Sequence, residues 1–156
     1  MTLAAEHLAD KWIVVILRNA FNGMKRFDDF YRHLGVSSKV LTSRLNNLVN
    51  AEILYCLEVV SDKRAFEYRL TPKGLDLFPL LVFMGQWADR WWPLEAGPRF
   101  EVLDRTSGVP VQPVMVRNVR GQTVAPRETI PNQGKGGSKV FEAMHAILAQ
   151  RKKRTS

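Results

Sequence analysis

The chain has 156 residues, 46% of them hydrophobic and 24% charged, with a net charge of +8 and a pI near 10.0. That length holds one good core, or a core plus an appendage, and the composition is that of an ordinary globular protein. A single cysteine, Cys56, excludes an internal disulfide and any multi-cysteine metal site, and the most apolar run, Leu77 to Gly85, is too short to span a bilayer.

The positive charge points to a polyanionic partner without choosing between nucleic acid and a membrane surface. It is also unevenly placed. Residues 1–94 carry 12 Lys and Arg against 10 Asp and Glu (+2), whereas residues 95–156 carry 11 against 5 (+6). The N-terminus has no basic segment followed by a long apolar stretch, so a cytoplasmic protein is expected.

In chain order, the first expected helix runs from about His7 to Phe21. Leu8, Trp12, Val15 and Ile16 form one stripe on it, and Ile13, Leu17, Ala20 and Phe21 widen that stripe. A surface so broad suggests burial on more than one side, in the core or against a second subunit. Asn22-Gly23 ends the helix.

The segment "RFDDFYRHLG" places Phe27, Phe30, Tyr31 and Leu34 at the i, i+3, i+4, i+7 spacing of a buried stripe, and Gly35 suits a helix C-terminus. Ser37 can cap the next helix, through "SKVLTSRLNNLVNA". Its Leu41, Leu45 and Leu48 cluster on one side. Lys39, Thr42, Ser43 and Asn46 fall on the other, with Asn47 at the edge. Small hydroxyl residues near such an N-terminus, Ser38 among them, permit close approach to phosphates and base edges. Lys and Asn can donate in a major groove. The plain alternative is a solvated face on an ordinary core helix, and the helix before it and hairpin after it weigh against that.

Two runs, "ILYCLEVV" and "AFEYRLT", flank a polar tip at Ser61-Asp62-Lys63-Arg64 and predict a hairpin. Phe66, Tyr68 and Leu70 alternate with Glu67 and Arg69, as in a strand with one buried face. Lys63 and Arg64 on that tip, and Lys25 and Arg26 before the first motif helix, are placed to touch a sugar–phosphate backbone. Arg44, at the margin of the apolar face, suits a carboxylate or a phosphate equally. Cys56 lies in a predicted strand without a triad around it, and a buried, inert thiol is expected. His7, His33 and His145 share no metal-ligand spacing. Asp28 and Asp29 read as helix N-terminal charges rather than an acid/base pair.

Thr71-Pro72 starts a further helix, roughly Pro72 to Trp91, which Pro79 should bend or interrupt. Its Leu81, Met84, Trp87 and Trp91, with Leu8, Trp12 and Ile16 of the first helix, predict a two-fold dimer interface. Trp12, Phe83 and Trp87 could line a dimer pocket for a small aromatic molecule, although they are core formers first. Beyond Glu95 prolines and glycines punctuate short β-like runs. The expected domains are residues 1–94, a small β-rich extension over 95–137, and a C-terminal helix with a basic tail over 138–156. No P-loop, GxSxG, HExxH or dinucleotide fingerprint appears, so no catalytic residue, metal or cofactor is expected.

With these parts in place the chain resembles the HxlR-type winged helix-turn-helix regulators of bacteria. The resemblance rests on Lys11-Trp12, on Arg26-Phe27, on the Ser37 to Leu45 stretch and on the Tyr68 to Gly74 run, and covers about residues 8–92. It implies a mainly α fold with a small β-hairpin wing (α+β). It also implies a homodimeric transcriptional regulator, more often a repressor, whose recognition helices enter successive major grooves of a palindromic double-stranded operator. The rival is a winged-helix module for non-specific DNA binding or protein–protein contacts. Some relatives answer to oxidants through a cysteine near the N-terminus, and "MTLAAEHLADKW" contains none. The part beyond residue 100 resembles a ribbon-like extension in which Ser107-Gly108 and Arg117 to Gly121 keep the glycines but lose the zinc cysteines.

Overall fold

A computed structural model of the chain describes residues 2–59, 62–130, Gly134 and Ala143, without the side chains of Thr2 and residues 62–65. Helix α1 spans Thr2–Leu8 and α2 spans Lys11–Phe21. The single helix expected from His7 to Phe21 is therefore broken. Asp10 breaks it, because its carboxylate accepts from the Trp12 N–H at 2.8 Å and acts as the N-cap of α2. An aspartate that can bond the backbone two residues ahead competes with continuing helix.

Helices α3 (Phe27–Leu34) and α4 (Ser38–Asn50) follow, joined at Gly35 in the left-handed conformation, φ 62°. The core is built where they meet α2. Ile13, Ile16 and Leu17 of α2 pack with Phe30, with Leu41, Leu45 and Leu48 of α4, and with Ile53 and Leu54. Tyr31, expected in the buried stripe, is 43% exposed and instead stacks on Phe27, ring centroids 6.2 Å apart. Helix α4 closes in a Schellman arrangement: the Ile53 N–H reaches Leu48 O and the Glu52 N–H reaches Val49 O, both at 2.9 Å. Glu52 occupies the left-handed position, φ 57°, where glycine is the usual residue.

Strands β1 (Leu54–Val59) and β2 (Asp62–Leu70) pair antiparallel. The register runs from Leu54 opposite Leu70 to Glu58 opposite Phe66, then jumps so that Val59 faces Asp62. Residues 63–65 thus lie in an irregular stretch of β2. The predicted alternation is only partly realised, since Tyr68 and Leu70 are half-buried but Phe66 is 44% exposed. Arg26 bridges Glu67, and the Tyr68 N–H donates to Lys25 O at 2.8 Å, so the start of α3 is tied edge-on to the hairpin.

Helix α5 is a single turn, Pro72–Leu75, and α6 spans Phe78–Trp91. Pro79 sits in the first turn of α6, where a missing N–H costs nothing, so the chain is interrupted just before it rather than bent within a helix. Gly74 is demanded by packing. A Cβ there would stand 2.2 Å from the Ile53 carbonyl oxygen. Thr71 caps α5 by accepting from the Gly74 N–H at 3.0 Å and donates to the Glu52 carbonyl at 2.6 Å, which fastens the hairpin's exit to the end of α4.

The chain divides into two compact units, one ending at Val114 and one beginning at Met115. In the first, the segment after α6 returns along that helix: Arg99 pairs with Asp89 at 3.0 Å and Gln86 accepts from the Val114 N–H at 2.8 Å. The expected β-rich extension has no strand among the described residues, only the isolated bridges Leu103–Pro110 and Arg117–Thr123. The reason is local, since side chains hold both turns. Asp104 Oδ1 accepts from the Ser107 and Thr106 N–H groups at 2.7 and 3.1 Å before Gly108 (φ 68°). In the second unit Asn118 Oδ1 accepts from Arg120 and Gln122 N–H groups at 3.0 and 3.1 Å around Gly121 (φ 77°). The predicted C-terminal helix and basic tail fall largely outside the described residues.

Candidate nucleic-acid interface

Helix α4 is held by one face and open on the other. Leu41 and Leu45 are fully buried and Leu48 nearly so, which fixes the rotation of the helix about its axis. Ser37 caps it, its Oγ accepting from the Val40 N–H at 3.4 Å. On the far face Ser38, Lys39, Thr42, Ser43, Asn46 and Asn47 are all exposed and line one shallow depression. Among the described residues, Ser38, Lys39, Thr42, Asn46 and Asn47 spend none of their side-chain donors or acceptors on the protein, and Ser43 Oγ only accepts a 3.4 Å bond from Arg44. A polar face with unspent donors and small residues at its start is chemically suited to groove edges and phosphates.

Arg44 resolves differently from its neighbours. Its Nε and Nη2 both lie 2.7 Å from Asp10 Oδ2, so the guanidinium joins the start of α2 to α4 rather than facing outward. Partial burial pushes the Asp10 carboxyl up. The Arg44 and Trp12 hydrogen bonds and the Arg44 charge outweigh it, so the carboxyl ends below the usual aspartate range. Arg44 thereby stops being a free phosphate contact and becomes a strut that sets α4 against α2.

Lys25 and Arg26 keep exposed side chains while their backbone joins the hairpin. Glu67 lies near both. Its carboxyl is held low first by Arg69, whose Nη2 is 2.7 Å from Glu67 Oε2, and further by Lys25 and Arg26. Lys63 and Arg64 fall on the backbone of β2, and their side chains are outside the described residues. Asp28 and Asp29 do occupy the first turn of α3, where Asp29 pairs with Arg32 at 2.8 Å.

Cys56, expected buried, is exposed on β1 opposite the half-buried Tyr68. Partial burial of the thiol nevertheless pushes its pKa up. A hydrogen bond with Tyr68 pulls the other way, and the Glu58 charge adds to the rise. A thiol moved away from thiolate is a poor nucleophile.

The expected dimer residues divide into two groups. Ile16 is fully buried in the core of the single chain and offers no surface to a partner, which corrects its assignment to an interface. Leu8 and Leu81 are half-buried against the same core. Met84, Trp87 and Trp91 are exposed, and Leu80 and Phe83 join them on one stripe of α6 at helical spacing, Trp91 reaching 62%. Leu80 and Phe83 were open to detection from that spacing. Trp12 is half-buried beneath Lys11, whose Nζ lies 4.8 Å from the ring centroid. No helix among the described residues is long and apolar enough to cross a membrane.

Comparison with known proteins agrees with this geometry. The model of the HxlR-like helix-turn-helix family matches residues 7–96. An uncharacterized HTH-type transcriptional regulator of Mycobacterium tuberculosis is 35% identical over 133 residues, spanning 85% of this chain and 84% of that protein. Among solved structures, PA1607, a candidate transcription factor, superposes with a TM-score of 0.78 at 34% identity over 84% of this chain and 92% of that one. PA1374, a candidate transcription factor from Pseudomonas aeruginosa, gives 0.62 at 30% identity over 90% and 96%.

Proposed function

The chain belongs to the HxlR-like helix-turn-helix family, with the DNA-binding fold of a transcriptional regulator, and from that premise we propose that it is a sequence-specific repressor acting as a homodimer on a palindromic operator. The single observation that carries this reading is the outer face of α4, where Lys39, Thr42, Ser43 and Asn46 stand exposed on a helix whose rotation three buried leucines fix. Lys39, Thr42, Ser43 and Asn46 read the groove, and Lys25, Arg26, Lys63 and Arg64 hold the backbone beside it.

One such helix covers too few base pairs for a specific site, and two copies supply the second half-site. The exposed stripe of Leu80, Phe83, Met84, Trp87 and Trp91 supports that pairing, because contiguous apolar surface of this kind marks an interface. Nothing in the described site calls for catalysis: Cys56, the only thiol, has a raised pKa. The protein acts by binding, in the cytoplasm, without a cofactor.

Selection of bound fragments from genomic DNA, followed by titration of the selected duplex and a random duplex across salt concentrations, tests the reading. A selected site bound about a thousandfold or more tighter than random DNA is expected. Equal affinity for both at every salt concentration overturns it in favour of non-specific coating, the reading favoured by the +6 charge of residues 95–156.

A further inference from the structure

The first compact unit contains a half-enclosed cavity of about 690 Å³ between α2, α6 and the returning segment 99–105. That is within the roughly 300–1,000 Å³ of small-molecule sites. Phe21, Phe78, Leu81 and Phe100 give it apolar walls, the first two with ring centroids 5.4 Å apart. Trp12, Phe83 and Trp87, the residues expected to line an aromatic pocket, are not part of it.

The charges on its wall are not balanced. Arg99 and Asp89 both line it and pair with each other at 3.0 Å. That leaves Arg18 and Arg105, neither with an ion pair among the described residues, against Glu101 alone. Arg18 is also held in place. Its Nε and Nη2 donate to Asn19 Oδ1 at 3.2 and 3.0 Å, leaving Nη1 unused. Asn19 is the one buried polar residue among those described, at 4% exposure, and its Nδ2 finds no partner. A buried amide with an orphan donor costs stability. Arg18 lines the cavity, and its two bonds to Asn19 Oδ1 restrain its guanidinium.

We propose that this cavity is a binding site for a compact aromatic carboxylate, its rings between Phe21, Phe78 and Phe100 and its carboxylate on Arg18. An apolar body matches the walls, and an anion matches the uncompensated guanidinium, whose free Nη1 can donate a charge-assisted hydrogen bond to a carboxylate oxygen. Met84 belongs both to the cavity wall and to the exposed stripe of α6, so an occupant touches the helix assigned to dimerisation, a consequence that rests on the dimer reading above. The site itself does not depend on that reading.

Calorimetric titration of the full chain, without DNA, with naphthalene-2-carboxylate and the uncharged naphthalene-2-carboxamide tests it. The carboxylate is expected to bind at least tenfold tighter than the amide. Arg18→Gln should remove that preference while leaving amide binding unchanged. Gly85→Leu, where an added Cβ meets nothing within 4 Å, should abolish binding of both at an unchanged melting temperature. Equal affinity for the two compounds, a carboxylate preference kept by Arg18→Gln, undiminished binding by Gly85→Leu, or no binding by the wild type overturns the proposal. If no compound binds and Gly85→Leu instead dissociates a dimer in sedimentation, the cavity is a contact between copies. Because no DNA is present, each of these failures leaves the operator reading standing.

Discussion

The two ends of the first compact unit are held by different physics. From α2 to β1 the shape is set by apolar burial: Ile16, Phe30, Leu41 and Leu45 are fully enclosed, and three helices take their relative angles from that contact. From Arg99 to Val114 almost nothing is enclosed, and the path is set by polar side chains bonded to backbone, Asp104 within its own turn and Gln86 to Gln112 and Val114. Burial is cooperative and positions a surface rigidly. Side-chain-to-backbone bonds shape a turn without stiffening its surroundings. The face that needs fixed geometry, on α4, is mounted on the first kind of structure.

The contrast can be broken by substitution. Leu45→Ala should cost about 2–5 kcal/mol, read as a fall in urea midpoint at constant slope, because a fully enclosed leucine leaves a cavity. Gly74→Ala should cost about 1–3 kcal/mol in the same assay, since its Cβ meets a backbone carbonyl that cannot move aside alone.

Asp10→Ala removes an N-cap and the Arg44 strut together, for about 1–2 kcal/mol at neutral pH. The sign with pH follows from a carboxyl held below its ordinary 3.8. The stabilisation is complete above that value and fades as pH falls through the lowered one. Urea midpoints of wild type and variant should therefore converge only in strong acid. At the polar extreme, Asn118→Ala should leave the global midpoint unchanged. It should speed hydrogen exchange only at the Arg120 and Gln122 amides that its side chain accepts from. A global loss there would show the second unit to be more than a set of turns.

Most of the core and the site face was legible in the sequence. The leucine spacing of α4 gives the rotation that exposes Lys39, Thr42, Ser43 and Asn46, and Gly35, Ser37 and Thr71 marked helix ends by the chemistry those ends require. What could not be read was tertiary. Nothing local says that Asp10 will meet Arg44 across 34 residues, that Ile16 rather than Phe83 belongs to the core, or that Cys56 stays exposed on β1. The extension misled because alternating apolar residues look like strands, whereas Asp104 and Asn118 close turns too tight to leave a ladder.

The central claim is that α4 reads sequence through its outer face, and duplex binding by Asn46→Ala and Lys39→Ala tests it most directly, with Lys63→Ala alongside. The account predicts that the first two lose about 1–3 kcal/mol per base contact on the selected operator and little on random DNA. Lys63→Ala should weaken both duplexes alike and lower the salt slope. Operator affinity left intact by Asn46→Ala and Lys39→Ala, or lost equally on random DNA, would contradict it.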